Sequence, residues 1–255
     1  MGIFEGYLLV TDLDGTLLGT DKKVSYENSE AIRYFQSEGG LFTVATGRYP
    51  DFLYSYSDIF TVDECVVALN GNMIYDLKKH EVRFIARMKK DKLKNLLDTA
   101  LLHFDNDIYC IKVNDDAESY DYDGEIIRDV CKSIIIASDA QSAVVLRDFL
   151  NSVFGNEFKV ARSWATGVEI FLKGSGKGEC IQYIRENINR SIKKTVCVGD
   201  YENDITMLET ADIGYAVKNA SDDAKKAADR ITDVDNDHGA IAFVINDIRK
   251  ELEND

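Results

Sequence analysis

The chain has one proline, one tryptophan and three histidines in 255 residues. His80, His103 and His238 share no metal-ligand spacing, which speaks against a histidine-bound metal and against a catalytic histidine triad. The five cysteines, Cys65, Cys110, Cys131, Cys180 and Cys197, are odd in number and form no CxxC pair. Reduced, mostly buried thiols are expected in place of disulfides or zinc ligands. Acidic residues outnumber basic ones 45 to 30, giving a formal net charge of −15. Nucleic acid is therefore an unexpected partner, since binding its backbone needs clustered Lys and Arg. No apolar run approaches the length that spans a bilayer, and residues 1–7 lack the basic and apolar regions of a signal peptide. No membrane partner and a cytoplasmic location are the expectation.

What is present begins at residues 7–17, Tyr-Leu-Leu-Val-Thr-Asp-Leu-Asp-Gly-Thr-Leu. Tyr7 to Val10 is short and apolar with no solvated face, the pattern of a strand buried on both sides. It stops at Asp12 and Asp14, which lie two apart and in extended chain would project the same way. Gly15 then permits a tight turn. An acidic turn capping a strand is the plainer reading, but paired carboxylates beside a buried strand are costly without a compensating cation.

The same theme recurs. Ser25 opens a helical stripe of Ala31, Ile32, Tyr34 and Phe35 that ends at Gly39-Gly40; Leu41 to Ala45 is a second apolar run halting at Thr46-Gly47-Arg48; Pro50 begins another helix; Cys65 to Leu69 halts at Asn70-Gly71-Asn72. Alternating strands and helices predict a parallel sheet with right-handed crossovers. From about Lys79 the texture changes. Strands over 81–87, 108–113, 133–138, 158–163 and 168–172 with helices over 92–104 and 141–154 point to an antiparallel sheet with helices on one face. The acidic stretch Asp115, Asp116, Glu118, Asp121 and Asp123 reads as an exposed loop. After Gly174-Ser175-Gly176-Lys177-Gly178 and a helix over 179–188 the first texture returns, with a buried run Thr195 to Val198 stopping at Gly199-Asp200, a helix near 205–209, a strand at 213–217 and a last helix over 238–252. The expected architecture is α/β: a Rossmann-like parallel core from residues 1–79 and 177–255, with a smaller α+β module, 80–176, inserted as a cap.

In an open parallel sheet the carboxyl ends of the strands share one edge, where ligands bind. Asp12, Asp14, Asp200 and, one helical turn on, Asp204 should gather there. Two such charges about 4 Å apart repel by about 4 kcal/mol at an effective dielectric near 20. A hard divalent cation, Mg2+ by the openness of the site, would relieve them. Thr46, the Gly47 amide and Lys177 before a helix describe an adjoining phosphate site. Taken singly, Thr46 reads as a helix cap and Lys177 as a loop lysine. A P-loop is excluded because no GxxxxGK[ST] spacing occurs.

The ordered set DLDGT (12–16), TGR (46–48), Lys177 and GDYEND (199–204) resembles the haloacid dehalogenase (HAD) superfamily of phosphatases, in its Cof-type branch, whose cap lies between the second and third motifs. Asn70-Gly71, Asn219-Ala220, Ala227-Ala228-Asp229 and Asn236-Asp237-His238-Gly239 add to the likeness; Val217-Lys218 before Asn219 and Asn72 depart from it. The resemblance implies a Mg2+-dependent phosphatase acting on small phosphorylated metabolites, sugar phosphates foremost. Asp12 would be the nucleophile and Asp14 the proton donor and later the base, and so partly protonated near neutral pH. Asp12, the Asp14 carbonyl and Asp200 would hold the metal with support from Asp204, while Leu13, Thr46, Gly47, Lys177 and Asn203 bind the phosphoryl group. The cap would choose the substrate, and Arg162, Trp164 and Glu169 are its candidate contacts, with strand packing as the plainer role for each. A phosphosugar mutase of the same superfamily and a phosphate-accepting signalling or binding module are the alternatives.

Overall fold

The computed structural model describes residues 2–115 and 118–254. The chain divides into two compact units, residues 1–83 with 177–255, and residues 84–176.

The first unit starts with β1 (Tyr7–Thr11), α1 (Tyr26–Ser37) and β2 (Leu41–Val44). Ser25 caps α1 by accepting a hydrogen bond from the Asn28 amide, which satisfies one of the helix's orphan donors. A 3-10 turn over Pro50–Tyr56 stands where a helix was expected. It leads to β3 (Val66–Ala68), β4 (Met73–Asp76) and β5 (Glu81–Ile85), a three-stranded sheet in that order. Because β5 joins β4, its first residues stay with the core, and the change of unit falls at 83/84 instead of 79/80.

The second unit contains α2 (Lys90–Phe104), β6 (Ile108–Asn114), β7 (Ser119–Asp121), β8 (Lys132–Ala137), α3 (Ala140–Phe154), β9 (Phe158–Trp164) and β10 (Gly167–Leu172). Its sheet is antiparallel in the order β7-β6-β8-β10-β9. Ile111, Ile135 and Val168 align across it and pack with Leu93, Leu96, Leu97, Leu146 and Leu150 of the two helices. Their strand neighbours Lys112, Ile134 and Glu169 project from the opposite face, as period-two alternation requires. The acidic stretch is not simply an exposed loop: Asp115 is buried and paired with Arg128, and Ser119–Asp121 is a strand. Asp116 lies outside the described residues.

The chain returns to the first unit through α4 (Lys177–Tyr183), β11 (Lys194–Gly199), α5 (Ile205–Thr210), β12 (Ile213–Ala216), α6 (Asp222–Ala227), β13 (Arg230–Ile231) and α7 (Ala240–Asn254). The main sheet is parallel, in the order β13-β12-β11-β1-β2, with β3 reached through an Ala45–Val67 bridge. The all-apolar run of β1 serves both faces. Leu9 joins Ile32, Phe35, Val244 and Ile248 in one cluster, while Leu8 and Val10 join Cys180, Ile181, Ile184 and Met207 in another. Such double coverage explains why the run shows no polar alternation. No helix among the described residues is long and apolar enough to cross a membrane.

Candidate active site

The carboxyl ends of β1 and β11 lie side by side, and the Asp12 amide donates to the Val198 carbonyl at 2.9 Å. That bond fixes Asp12 at the sheet edge. The chain then turns at Gly15, whose φ is +87° and where a Cβ would stand 2.5 Å from Asp200 Oδ2. Both the left-handed backbone and the close approach call for glycine.

Lys177, the first residue of α4, is fully buried instead of exposed in a loop. Its Nζ lies 2.5 Å from Asp12 Oδ1 and 2.5 Å from Asp204 Oδ1. The other Asp204 oxygen accepts from the amides of Asp200 at 2.9 Å and Tyr201 at 3.2 Å. Asp200 Oδ1 accepts from the Thr16 hydroxyl at 3.2 Å. One oxygen from each of Asp12, Asp200 and Asp204 falls within 4.8 Å of the others. Three carboxylates and one ammonium sum to −2, the deficit a divalent cation would cancel, and all three donors are the oxygens a hard ion prefers. Burial, opposed by Lys177 and aided by the Asp204 charge, pushes the Asp12 carboxyl up to about 7. Burial and the neighbouring charges of Asp12 and Asp204 likewise raise Asp200 well above the usual carboxylate range. The cluster resists full ionisation until more positive charge arrives, so the residues fit a metal ion. Asp204, with both oxygens engaged, fits the part of support for Lys177 and the 200–201 turn better than that of a primary ligand.

The expected four-acid cluster contains three. The Asp14 carboxylate is taken by Arg48, whose Nε and Nη2 lie 2.6 and 2.7 Å from its two oxygens, and by Lys22 Nζ at 2.8 Å. Burial alone would raise this carboxyl, but hydrogen bonds from the two cations outweigh it and hold the group at about 2. Asp14 is therefore an anion near neutral pH in this arrangement, contrary to the partly protonated donor expected. Arg48 also stacks on Phe52, with its guanidinium carbon 3.7 Å from the ring centre. The sequence shows Arg48 within TGR and gives no signal for Lys22, and nothing in spacing shows where a long side chain reaches.

Thr46 is buried at the end of β2, its hydroxyl accepting from the Arg48 amide at 3.2 Å. Gly47 lies against Asn70, and Asn203 Nδ2 donates to Asn70 Oδ1 at 3.1 Å. The Leu13 side chain belongs to the core, leaving only its main chain for a ligand. In the second unit, Glu169 is buried and ion-paired with Lys132 at 3.0 Å. Arg162 stands opposite Val168 in the β9–β10 register, and Trp164 is 40% exposed at the hairpin end, covering Gly167.

A family model for haloacid dehalogenase-like hydrolases matches residues 9–245. The chain belongs to that family. Two Bacillus subtilis proteins named 5-amino-6-(5-phospho-D-ribitylamino)uracil phosphatase are similar to this haloacid dehalogenase-like chain. YcsE is 25% identical over 235 residues, covering 91% of this chain and 92% of its own. YitU is 25% identical over 262 residues, covering 93% and 96%. Among solved structures, a haloacid dehalogenase-like hydrolase from B. subtilis shares the fold with a TM-score of 0.79 at 20% identity, over 94% of this chain and 98% of that one.

Proposed function

We propose that the protein is a Mg2+-dependent phosphatase that hydrolyses small phosphorylated metabolites, sugar or sugar-alcohol phosphates first among them, through an aspartyl phosphate on Asp12. The observation that carries the reading is Asp12 itself, anchored at the sheet edge in contact with the buried Lys177 and beside two further carboxylates. The relatives' names add a ribityl phosphate as the first substrate to try.

In this reading an Asp12 oxygen attacks phosphorus, the new P–O bond forms as the ester P–O bond breaks, and the leaving oxygen takes a proton. Asp14, once Arg48 and Lys22 release it and it takes up a proton from solvent, gives that proton to the leaving oxygen and is left as a carboxylate. A water oxygen then attacks phosphorus, Asp14 takes the water's proton, and Asp12 leaves with its electron pair, releasing orthophosphate. As a carboxylate, Asp14 is already in the state the second step needs. Lys177 holds Asp12 in place, and with Thr46, Asn203 and the Leu13 and Gly47 amides it would receive the charge of the phosphoryl oxygens. Asp12, Asp200 and the Asp14 carbonyl would hold Mg2+, which when bound neutralises phosphoryl charge and draws the carboxylates together.

The test is orthophosphate release from a panel of phosphomonoesters, including phosphorylated sugars and ribityl phosphate compounds, with and without EDTA. Hydrolysis abolished by EDTA and by Asp12→Asn supports the proposal. Movement of the phosphoryl group to another substrate hydroxyl without free phosphate would make the protein a mutase instead.

A further inference from the structure

Leu69, Asn70 and Gly71 follow β3 with φ of 50°, 55° and 94°. Three left-handed residues in succession are unusual. Only glycine takes this conformation freely, asparagine tolerates it, and leucine is strained in it, so the surrounding structure must impose it. The restraints are visible: the Asn70 amide donates to the Thr46 carbonyl at 2.9 Å and the Leu69 amide to the Arg48 carbonyl at 3.2 Å. The Asn72 side chain closes the turn by donating to the Leu69 carbonyl at 2.8 Å. The turn is thus stitched to both ends of Thr46-Gly47-Arg48, which brings the Asn70 amide over Gly47. A Cβ at Gly47 would lie 3.0 Å from Asn70 Nδ2 and 3.2 Å from its Oδ1.

Asn70 is buried, and its Oδ1 accepts from Asn203 Nδ2. That bond fixes which way the Asn203 amide faces, since a flipped amide would set two carbonyl oxygens against each other. The same bond engages one of the two Asn203 Nδ2 hydrogens, and the other is the donor a phosphate oxygen can accept, while Asn203 Oδ1, buried with no hydrogen-bond partner, suits a donor from outside the chain.

We infer that Asn70 is a positioning residue for phosphate: through its side-chain oxygen it orients the Asn203 amide, and through its turn it holds the Gly47 segment, so the two arms of the anion site act as one unit. The inference rests on the phosphatase reading above. It adds to that reading a residue from a third loop, one that need not touch the substrate.

Calorimetric binding of orthophosphate with Mg2+ to the intact protein, for wild type, Asn70→Gly, Asn203→Ala and the double variant, tests it. Glycine keeps the φ of 55° available while deleting only the amide, and a thermal unfolding curve for each variant checks the fold. Each single variant should weaken orthophosphate binding about five- to tenfold, and the double variant by no more than about twofold beyond the worse single one, because Asn70 acts through the Asn203 amide that Asn203→Ala has already removed. In turnover, Asn70→Gly should raise KM and the inhibition constant for orthophosphate together while the Mg2+ requirement is unchanged. Additive losses around the cycle, or an Asn70→Gly variant that binds orthophosphate as wild type does, overturn Asn70's role and leave the phosphatase reading standing. Wild-type protein that binds no orthophosphate overturns both.

Discussion

At Asp12, burial favours the neutral acid while the Lys177 ammonium 2.5 Å away favours the carboxylate, and the balance leaves the group at about 7. Folding therefore raises this carboxyl from 3.8, and Asp200 moves the same way. The stability they contribute is complete below the unfolded value and is lost as pH rises through the folded one. Metal-free protein should accordingly lose stability between about pH 4 and 7, and Mg2+ should restore it, as paired denaturation curves would show. Binding of Mg2+ must also displace protons held by Asp12 and Asp200. Calorimetry in buffers of different ionisation enthalpy should find the share released by Asp12 present near pH 6 and lost near pH 8.5; equal release at both would contradict the value of about 7 for Asp12. Lys177→Met leaves Asp12 and Asp204 buried without their cation, and removing one partner of such a pair costs about 3–5 kcal/mol. Urea unfolding should show that loss in metal-free protein, with part of it recovered on adding Mg2+.

Short turns carry the groups of the proposed site, and the long elements keep those turns in register. Gly15 shows this most directly: Gly15→Ala would force a Cβ into Asp200 and strain a φ of +87°, so activity should fall by at least about tenfold, the rate equivalent of about 1.4 kcal/mol. Far from the site, Ser25→Ala should cost α1 only about 1 kcal/mol, with kcat unchanged. The runs Tyr7–Val10, Leu41–Ala45 and Thr195–Val198 were legible because a strand covered on both faces is apolar throughout and must stop where it meets solvent. Asp12, Lys177, Asp200 and Asp204 were legible for the related reason that a parallel sheet gathers its strand ends. What stayed hidden has physical causes too. β4, β7, α6 and β13 are too short to show a period, β13 having only two residues. Asp14 left the cluster because Arg48 and Lys22 reach it from separate loops. The Asn70 turn follows from hydrogen bonds to Thr46 and Arg48 that no local pattern encodes.

The two units differ in how their sheets are assembled along the chain. The second is continuous, whereas the first sets β1 beside β11, pairing Tyr7 with Lys194. The expectation that the inserted unit chooses the substrate is open to exchange: replacing residues 84–176 with the matching segment of a relative should change the rank order of phosphomonoesters while leaving the Mg2+ requirement intact. An unchanged rank order would place the selection in the first unit. The placement of β1 also bears on synthesis. During translation Asp12 emerges 165 residues before Lys177, its counter-charge, and β1 waits still longer for β11, while residues 84–176 have every partner of their own antiparallel sheet in hand. Domains fold as units while the chain lengthens, so ribosome-bound chains arrested once residues 84–176 have cleared the exit tunnel but before β11 should protect the inserted segment from protease and leave residues 1–83 open to cleavage. Asp12, the proposed nucleophile, would be among the first residues made and among the last to find its surroundings.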